Sequence, residues 1–188
     1  MNEITLSQST ETAVFAGGCF WCMEAVFSLL EGVVSIEPGY TGGTIENPTY
    51  DDVCIGRTGH AEAIRIVFDP SIIPYKELLS IFFSAHNPTS LNSQGPDVGT
   101  QYRSAIFYTT DLQKDIALSY VQHLSTFDPF EKPIVTEIVK LSHFYPAEPY
   151  HHQYFQKNPQ QMYCQISIQP KVEKIREKHS SLLKKTDN

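Results

Sequence analysis

The sequence lacks the features that mark secreted, membrane-spanning or nucleic-acid-binding proteins. Its 188 residues include only four cysteines, too few for a disulfide framework. No apolar run approaches the roughly 18 residues of a membrane span, and the polar stretch 1–11 has no signal-peptide pattern. A net charge of −7 argues against nucleic acid or an anionic membrane as a partner. We therefore expect a cytoplasmic protein with reduced cysteines.

Internal repeats, low-complexity segments and linkers are also missing, so we expect a single domain over residues 1–188. A composition with 41% hydrophobic and 19% charged residues is ordinary for a globular domain. The pattern divides the chain into a core at about 12–141, an irregular segment at 142–170 and a basic tail at 171–188. We interpret the tail as a solvated surface helix.

Apolar periodicity predicts the order of helices and strands. Strands are predicted at 13–16, 33–40, 61–69, 101–109 and 134–141, and helices at 20–30, 74–85 and 111–127. We expect irregular chain at 46–59 and 87–100, and Asp111 as the cap of the third helix. The order β-α-β-β-α-β-α-β lacks the regular rhythm of a doubly wound sheet. We therefore predict an α+β fold, a two-layer sandwich with a mixed sheet, a ferredoxin-like core and a long irregular C-terminal segment.

A strand, a tight turn and a helix meet at Cys19, which follows Gly17 and Gly18. The glycines allow a sharp turn, and unpaired N–H groups at a helix N-terminus favour an anion. This is the setting of a reactive thiolate, although a small buried residue is the commoner fate of a free cysteine. The pair Phe20–Trp21, expected to be exposed beside the sulfur as the wall of an apolar pocket, favours the reactive interpretation.

A glutamate begins the clearest strand. Alternation along 61–69 places Glu62 in a row with Ile64, Ile66 and Phe68. A carboxyl at the end of a buried face has a raised pKa and can serve as a general acid near neutral pH. The alternative is a strand-end glutamate turned to solvent, because glutamate is rarely buried.

The cysteines leave other kinds of site to consider. Cys19 and Cys22 form a C-x-x-C pair, which suggests thiol–disulfide exchange or half of a zinc site. Structural zinc needs four ligands, but Cys54 and Cys164 stand alone and none of the seven histidines has the spacing of a zinc ligand. We therefore predict no metal site. A cysteine protease is disfavoured because no histidine stands in a motif that marks it as the base.

Several short motifs are not explained by core patterning. They are GGCFW at 17–21, GYTGG at 39–43, NPTY at 47–50, TGHAE at 58–62, DVGTQYRS at 97–104, YH at 150–151 and KNP at 157–159. In this order and with these gaps the chain resembles the A-class peptide methionine sulfoxide reductases over about 13–165. The resemblance implies an oxidoreductase that repairs methionine S-sulfoxide after oxidative stress, in proteins and as the free amino acid.

The resemblance also implies the chemistry. Cys19 is expected to attack the sulfoxide sulfur and to be left as a sulfenic acid. Glu62 is expected to protonate the departing oxygen, while the hydroxyls of Tyr50 and Tyr102 donate hydrogen bonds to it.

Binding roles follow from the same resemblance. Phe20 and Trp21 are expected to hold the methyl group of the substrate in an apolar cage, and Asp97 is expected near the active site. No bound cofactor is expected, because an external dithiol such as thioredoxin would supply the electrons. We expect a monomer.

The resolving cysteine is left as a choice between two residues. Relatives carry a resolving cysteine after Gly-Tyr, and here Cys164 follows Met162 and Tyr163. We favour Cys164, which requires the C-terminal segment to fold across the active site. Cys22 is the alternative, and it would require the first helical turn to unwind in part. We interpret Cys54 as a buried bystander.

A function of another class is the alternative. A non-catalytic thiol module could bind methionine-rich or oxidised partners through an aromatic pocket. Such a module would need neither a poised acid, nor two tyrosines, nor a spare thiol, and we therefore favour the enzyme.

Overall fold

A computed structural model describes residues 9–127 and 130–185, so that part of the polar N-terminus (1–8) and the end of the basic tail (186–188) lie outside the described residues. The first half of the chain contains β1 (Glu11–Gly17), α1 (Phe20–Phe27), β2 (Val33–Thr41), α2 (Tyr50–Cys54), β3 (Ala61–Phe68) and α3 (Tyr75–Ala85). The second half contains β4 (Ser93–Gln94), β5 (Asp97–Val98), β6 (Ser104–Tyr108), α4 (Asp111–Phe127), β7 (Glu137–Lys140), β8 (Phe144–Pro146), α5 (Tyr154–Lys157) and α6 (Gln169–Lys178).

Six of the strands form one mixed sheet in the order β7-β6-β1-β3-β2-β8. The β6–β7 pair is parallel, and the other neighbouring pairs are antiparallel. The central four strands, connected through α1 and α3, have the spatial order β6-β1-β3-β2 of a ferredoxin-like core. The predicted α+β fold with a mixed sheet is confirmed.

The two faces of the sheet differ in their packing. On β1, Ala13 and Phe15 face the main core, whereas Val14 and Ala16 face a smaller cluster of mostly small side chains. Phe15 stacks on Phe82 of α3 with ring centroids 5.0 Å apart. Burying each large apolar side chain of this kind contributes about 1.5–3 kcal/mol, which fixes α1 and α3 on one face.

The alternation predicted for β3 is also present in the structure. Ile64, Ile66 and Phe68 belong to the main core, and Ala63 belongs to the opposite cluster. Glu62 therefore points to the same side as the large apolar residues and is only 1% exposed. The alternative of a solvent-facing glutamate is wrong, because Glu62 is covered from solvent and the pairing of β2 with β3 continues past it to Ala61.

Three local predictions need correction. The stretch 46–59 contains the short helix α2, which a capping box between Thr49 and Asp52 starts. The strand β6 begins at Ser104, so Tyr102 lies in the preceding 3₁₀ turn and not in the strand. The side chain of Thr110, rather than Asp111, accepts the N-terminal hydrogen bond of α4, from the backbone N–H of Gln113.

The C-terminal region is more ordered than its proline content indicated. Residues 142–170 include β8, a 3₁₀ turn, α5 and a π-helix at Cys164–Ile168 that continues into α6. The prediction of a solvated tail helix is wrong, since Val172 and Ile175 of α6 are buried and α6 contacts α1 and α3. The many charged residues of α6 concealed the buried apolar residues Ile168, Val172 and Ile175, which follow one another at intervals of four and three positions.

Within 9–127 and 130–185, no helix has both the length and the apolar character needed to cross a membrane.

Candidate active site

The site is built where β1 passes into α1. Gly18 has φ of +94°, and a Cβ there would lie 2.8 Å from the side chain of Gln94, so this turn requires glycine. Cys19 follows as the cap of α1, and its carbonyl accepts hydrogen bonds from the N–H groups of Cys22 and Met23. The thiol of Cys19 thus lies at a helix N-terminus, but the residue is only 6% exposed.

Cys19 and Cys22 act as a coupled pair of thiols. Burial raises the pKa of Cys19 well above its usual value, with the hydrogen bond to Cys22 and the nearby Glu62 adding to the effect. The hydrogen bond with Cys19 lowers the pKa of Cys22 to about 7. The two thiols together therefore lose one proton near neutral pH, and the two sulfurs share the proton that remains. The expectation of a preformed thiolate on Cys19 alone is corrected, because burial opposes the helix N-terminus.

Glu62 lies beside this pair. The carboxyl oxygen Oε2 accepts a hydrogen bond of 3.0 Å from the backbone N–H of Phe20. Burial raises the pKa of Glu62 to about 8, and the charge of Asp97 adds to this. The raised pKa expected from the strand pattern is therefore present, and the carboxyl keeps its proton at neutral pH.

Two tyrosines come to the same point from different elements. Tyr50 opens α2, and Tyr102 ends the 3₁₀ turn before β6. Burial raises the pKa of both hydroxyls, and the nearby Glu62 raises it further. Both side chains therefore keep their protons and remain hydrogen-bond donors at neutral pH.

The aromatic pocket differs from the expected exposed pair. Phe20 is only 1% exposed and stacks on Tyr50 with centroids 6.4 Å apart. Trp21 is partly exposed and lies flat on Tyr154, with ring centroids 3.7 Å apart and an interplanar angle of 6°. One wall of the pocket is thus part of the core, and the other is held by the short helix α5.

Two polar residues behind the pocket were assigned no role from the sequence. Glu148 accepts hydrogen bonds from the backbone N–H of Tyr50 and the hydroxyl of Tyr40, each 2.8 Å long. The Nδ1 atom of the buried His151 accepts a hydrogen bond of 3.0 Å from the indole N–H of Trp21. The motif at 150–151 was the available signal, but it did not indicate which side chain His151 contacts.

Asp97 lies beside the second thiol. The hydroxyl of Tyr163 donates a hydrogen bond of 2.6 Å to Asp97 and lies 3.9 Å from the sulfur of Cys22. Asp97 thus contacts the thiol pair through the C-terminal segment, and its charge also raises the pKa of Tyr102.

The remaining cysteines occupy different environments. Cys164 is fully buried in one apolar cluster with Cys19 and Cys22, so the C-terminal segment does fold across the thiol pair. Cys54 is exposed, which corrects the expectation of a buried bystander. Within the described ranges no group of three or more histidine, cysteine or acidic side chains is arranged to hold a metal ion.

These features define a class of protein. A thiol pair that ionises near neutral pH, next to a protonated carboxyl and two phenols, has what a thiol-dependent reduction of a polar oxygen-bearing group requires. The fold and the site are those of a thiol-dependent oxidoreductase with an aromatic pocket.

Comparisons with known proteins identify the family. A family model described as peptide methionine sulfoxide reductase matches residues 11–183. The chain is 52% identical to a peptide methionine sulfoxide reductase of Deinococcus radiodurans, over 98% of this chain and 92% of that protein. It is 50% identical to the corresponding protein of Pasteurella multocida, over 93% of this chain and 99% of that protein.

Solved structures agree with this result. The reduced form of Mxr1 from Saccharomyces cerevisiae has a TM-score of 0.74 and 33% identity, covering 84% of this chain and 91% of that one. A methionine sulfoxide reductase A of Corynebacterium diphtheriae has a TM-score of 0.70 and 37% identity, and the match covers 80% of this chain and 76% of that one. The chain belongs to the peptide methionine sulfoxide reductase family, in its A class. It is an oxidoreductase that reduces methionine sulfoxide by thiol chemistry.

Proposed function

We propose that Cys19 is the nucleophile in the reduction of the S epimer of methionine sulfoxide, in proteins and as the free amino acid. The observation that carries the proposal is the buried Glu62 carboxyl, which is protonated at neutral pH beside an ionisable thiol pair. We also propose a cytoplasmic monomer with one catalytic domain over residues 1–188.

The first step forms a sulfur–sulfur bond. The thiolate of Cys19 attacks the sulfoxide sulfur while one proton from Glu62 and one from the Cys22 thiol convert the sulfoxide oxygen into water. Attack of this water on the Cys19 sulfur, with one proton returned to the Glu62 carboxylate, releases methionine and leaves a sulfenic acid. The sulfoxide sulfur is reduced by two electrons, and the Cys19 sulfur is oxidised by two.

The proton balance explains why two groups are needed. Cys22 shares a proton with Cys19, so Cys19 can become the thiolate when Cys22 takes that proton. Glu62 keeps its proton up to about pH 8 and can give it to the sulfoxide oxygen, with Tyr50 and Tyr102 donating hydrogen bonds to the same oxygen.

Binding is assigned to the aromatic walls. Phe20 and Trp21 would enclose the methyl group of the substrate, because an apolar cage accepts the methyl but not a second polar group. Asp97 would hold the active-site edge through its hydrogen bond to Tyr163.

The sulfenic acid is resolved in two exchanges in this proposal. Cys22, which is hydrogen-bonded to Cys19, condenses with the sulfenic acid and water leaves. Cys164, in the same buried cluster, then attacks the Cys22 sulfur and restores the Cys19 thiol. The final disulfide thus joins Cys22 and Cys164, and the Cys19–Cys22 disulfide is the intermediate. An external dithiol, such as that of thioredoxin, reduces this disulfide, and no bound cofactor takes part.

The decisive experiment is a single turnover without reductant. Wild type and the variants Cys19→Ser and Glu62→Gln receive S-epimer methionine sulfoxide, and methionine is measured against time and pH. We expect no methionine with Cys19→Ser and a rate about 10²–10⁴-fold lower with Glu62→Gln. The decline of the wild-type rate above about pH 8 should be absent from Glu62→Gln, because that decline reports loss of the Glu62 proton.

A second buried glutamate is the matched control. Glu24 is 4% exposed and accepts a hydrogen bond from the N–H of Gln153, and no thiol is among the groups that shift its pKa. Glu24→Gln should reduce the substrate at close to the wild-type rate. Undiminished reduction by Cys19→Ser would overturn the proposed mechanism. Binding of substrate without any methionine from wild type would favour the non-catalytic module.

A further inference from the structure

A buried histidine and a carboxylate lie behind the substrate pocket. His151 is fully buried, and its ring lies 4.9 Å from that of Phe20 and 4.6 Å from that of Tyr50, between centroids. It therefore contacts the pocket walls from behind, on the side that faces away from solvent. A histidine in this place cannot act on the substrate directly, but it can fix the rings that do.

The hydrogen bond to Trp21 determines the protonation of the imidazole. The indole N–H is only a donor, and it points at Nδ1 of His151 over 3.0 Å. Nδ1 must therefore carry a lone pair, which places the proton of a neutral ring on Nε2. Nε2 faces Oε2 of Glu148 at 3.7 Å and has no hydrogen-bond partner among the described residues.

Glu148 is itself held in one place. Its two oxygens accept hydrogen bonds from the N–H of Tyr50 and the hydroxyl of Tyr40. Partial burial raises the pKa of Glu148, but these hydrogen bonds outweigh it and the net shift is downward. The carboxylate is therefore ionised at neutral pH and attracts the Nε2 proton of His151.

We propose that His151 is a positioning residue for substrate binding: as its Nε2–H tautomer, oriented by Glu148, it holds the indole of Trp21 in the pocket wall. The proposal rests on the assignment of Trp21 to substrate binding. Glu148 would then set both walls, one through the backbone of Tyr50 and the other through His151.

Burial and charge around His151 agree with a neutral ring. Burial lowers the pKa of His151, against the attraction of Glu148, and His152 lowers it further. Among the described residues, the charges that act on it are those of Glu148 and His152. Tyr50 and Tyr150 also lie against it, but the pKa of each is raised, so both stay neutral, and the other neighbouring rings are those of Phe20 and Trp21. The Nδ1 lone pair thus stays available to Trp21 at neutral pH.

A competing explanation exists for the position of Trp21. Its ring lies flat on Tyr154 at 3.7 Å, and this stack could hold the indole without His151. The two explanations differ in what happens when Nδ1 is removed. Stacking fixes the plane of the ring but allows it to slide or turn within that plane, whereas the hydrogen bond to Nδ1 fixes its direction.

The experiment uses the single tryptophan of the chain as its own reporter. Full-length wild type, His151→Leu and His151→Asn are compared by tryptophan emission and by quenching with acrylamide. The side-chain oxygen of asparagine can take the place of Nδ1, whereas leucine has no acceptor. We expect a red-shifted, more quenchable emission from His151→Leu and near-wild-type emission from His151→Asn. His152→Asn, at the neighbouring histidine, is the matched control and should match wild type.

Single-turnover kinetics then test the link to substrate. The half-saturating concentration of methionine sulfoxide should rise about fivefold in His151→Leu, as for loss of one neutral hydrogen bond. The maximal rate should change little, because the thiols and Glu62 are untouched. His151→Asn should restore most of the lost affinity.

The outcomes separate the proposals. Unchanged emission, quenching and half-saturation in His151→Leu would mean that Tyr154 alone positions Trp21, and the inference would be wrong. Equal losses in His151→Leu and His151→Asn would also overturn it, since the packing of the imidazole ring, and not an acceptor at the position of Nδ1, would then hold Trp21. If wild type forms no methionine, the proposed function fails, while the emission of the variants still decides whether His151 holds Trp21.

Discussion

At the scale of single residues, Glu62 has the most unusual environment in the site. It is a carboxyl with 1% exposure and one hydrogen bond from a backbone N–H, and no cation is paired with it among the described residues. Burial of this kind favours the protonated form, which is the form that an acid catalyst must have. The same environment costs stability, because an ionised Glu62 would be poorly solvated.

Glu62→Gln should therefore stabilise the protein in a pH-dependent way. The usual pKa of 4.5 applies to the unfolded chain, and the folded value is about 8. Between these values the folded state binds more protons than the unfolded state, so the free energy of unfolding of wild type falls as pH rises. Glu62→Gln has no such titration. The free energy of unfolding of the variant, relative to that of wild type, should therefore rise by about 1–4 kcal/mol between pH 5 and 8.

Denaturant unfolding at the two pH values measures this difference. Glu177→Gln, at an exposed glutamate of α6, is the control and should follow wild type at both. A difference in free energy of unfolding between Glu62→Gln and wild type that stays constant with pH would contradict the conclusion that Glu62 is buried and protonated.

At the scale of elements, the last helix is part of the core. α6 buries Val172 and Ile175 against α1 and α3, and the π-helix before it places Cys164 in the buried cluster that contains Cys19 and Cys22. π-Helical turns are uncommon and are frequent at functional sites. The packing of α6 therefore decides where the third thiol lies.

Ile175→Ala should destabilise the protein strongly. Its side chain is fully buried, so the loss of apolar contacts and the cavity left behind should lower the free energy of unfolding by about 2–5 kcal/mol. The matched change Arg176→Ala, at the exposed neighbouring position, should stay within about 0.5 kcal/mol of wild type. Equal, small effects from both variants in denaturant unfolding would mean that α6 does not dock.

At the scale of the whole molecule, three thiols from the two ends of the chain share one cluster. Cys19 and Cys22 come from the first helix, and Cys164 comes from the C-terminal segment. Cys22 and Cys164 are fully buried, so an external dithiol can reach a disulfide between them only if the C-terminal segment opens. Oxidation should therefore loosen this segment.

Peptide mapping after one turnover without reductant tests the order of exchange. We expect a Cys22–Cys164 disulfide in wild type and a Cys19–Cys22 disulfide in Cys164→Ser, since the second exchange is then blocked. Hydrogen exchange at 163–168 should be faster in oxidised wild type than in reduced wild type, and α3 serves as the internal control. A direct Cys19–Cys164 disulfide in wild type, with Cys22 still reduced, would refute the two-step order.

Local sequence determined much of the fold and half of the site. Alternation along β3 placed Glu62 on the buried face, and the glycines before Cys19 located the turn and the start of α1, because both depend on backbone geometry and period within a few residues. The mixed sheet followed from the order of these elements. The family resemblance supplied the substrate and the roles proposed for Tyr50 and Tyr102.

Only the tertiary structure decided which distant groups meet. The contact of His151 with Trp21 joins residues 130 positions apart, and Cys164 reaches the thiol pair because α6 docks on the core. The pKa of Cys19 is raised, against the expected direction, because burial outweighs the effect of the helix N-terminus. Cys54 was misjudged for the same reason: exposure depends on what packs from elsewhere in the chain, and no local period encodes it.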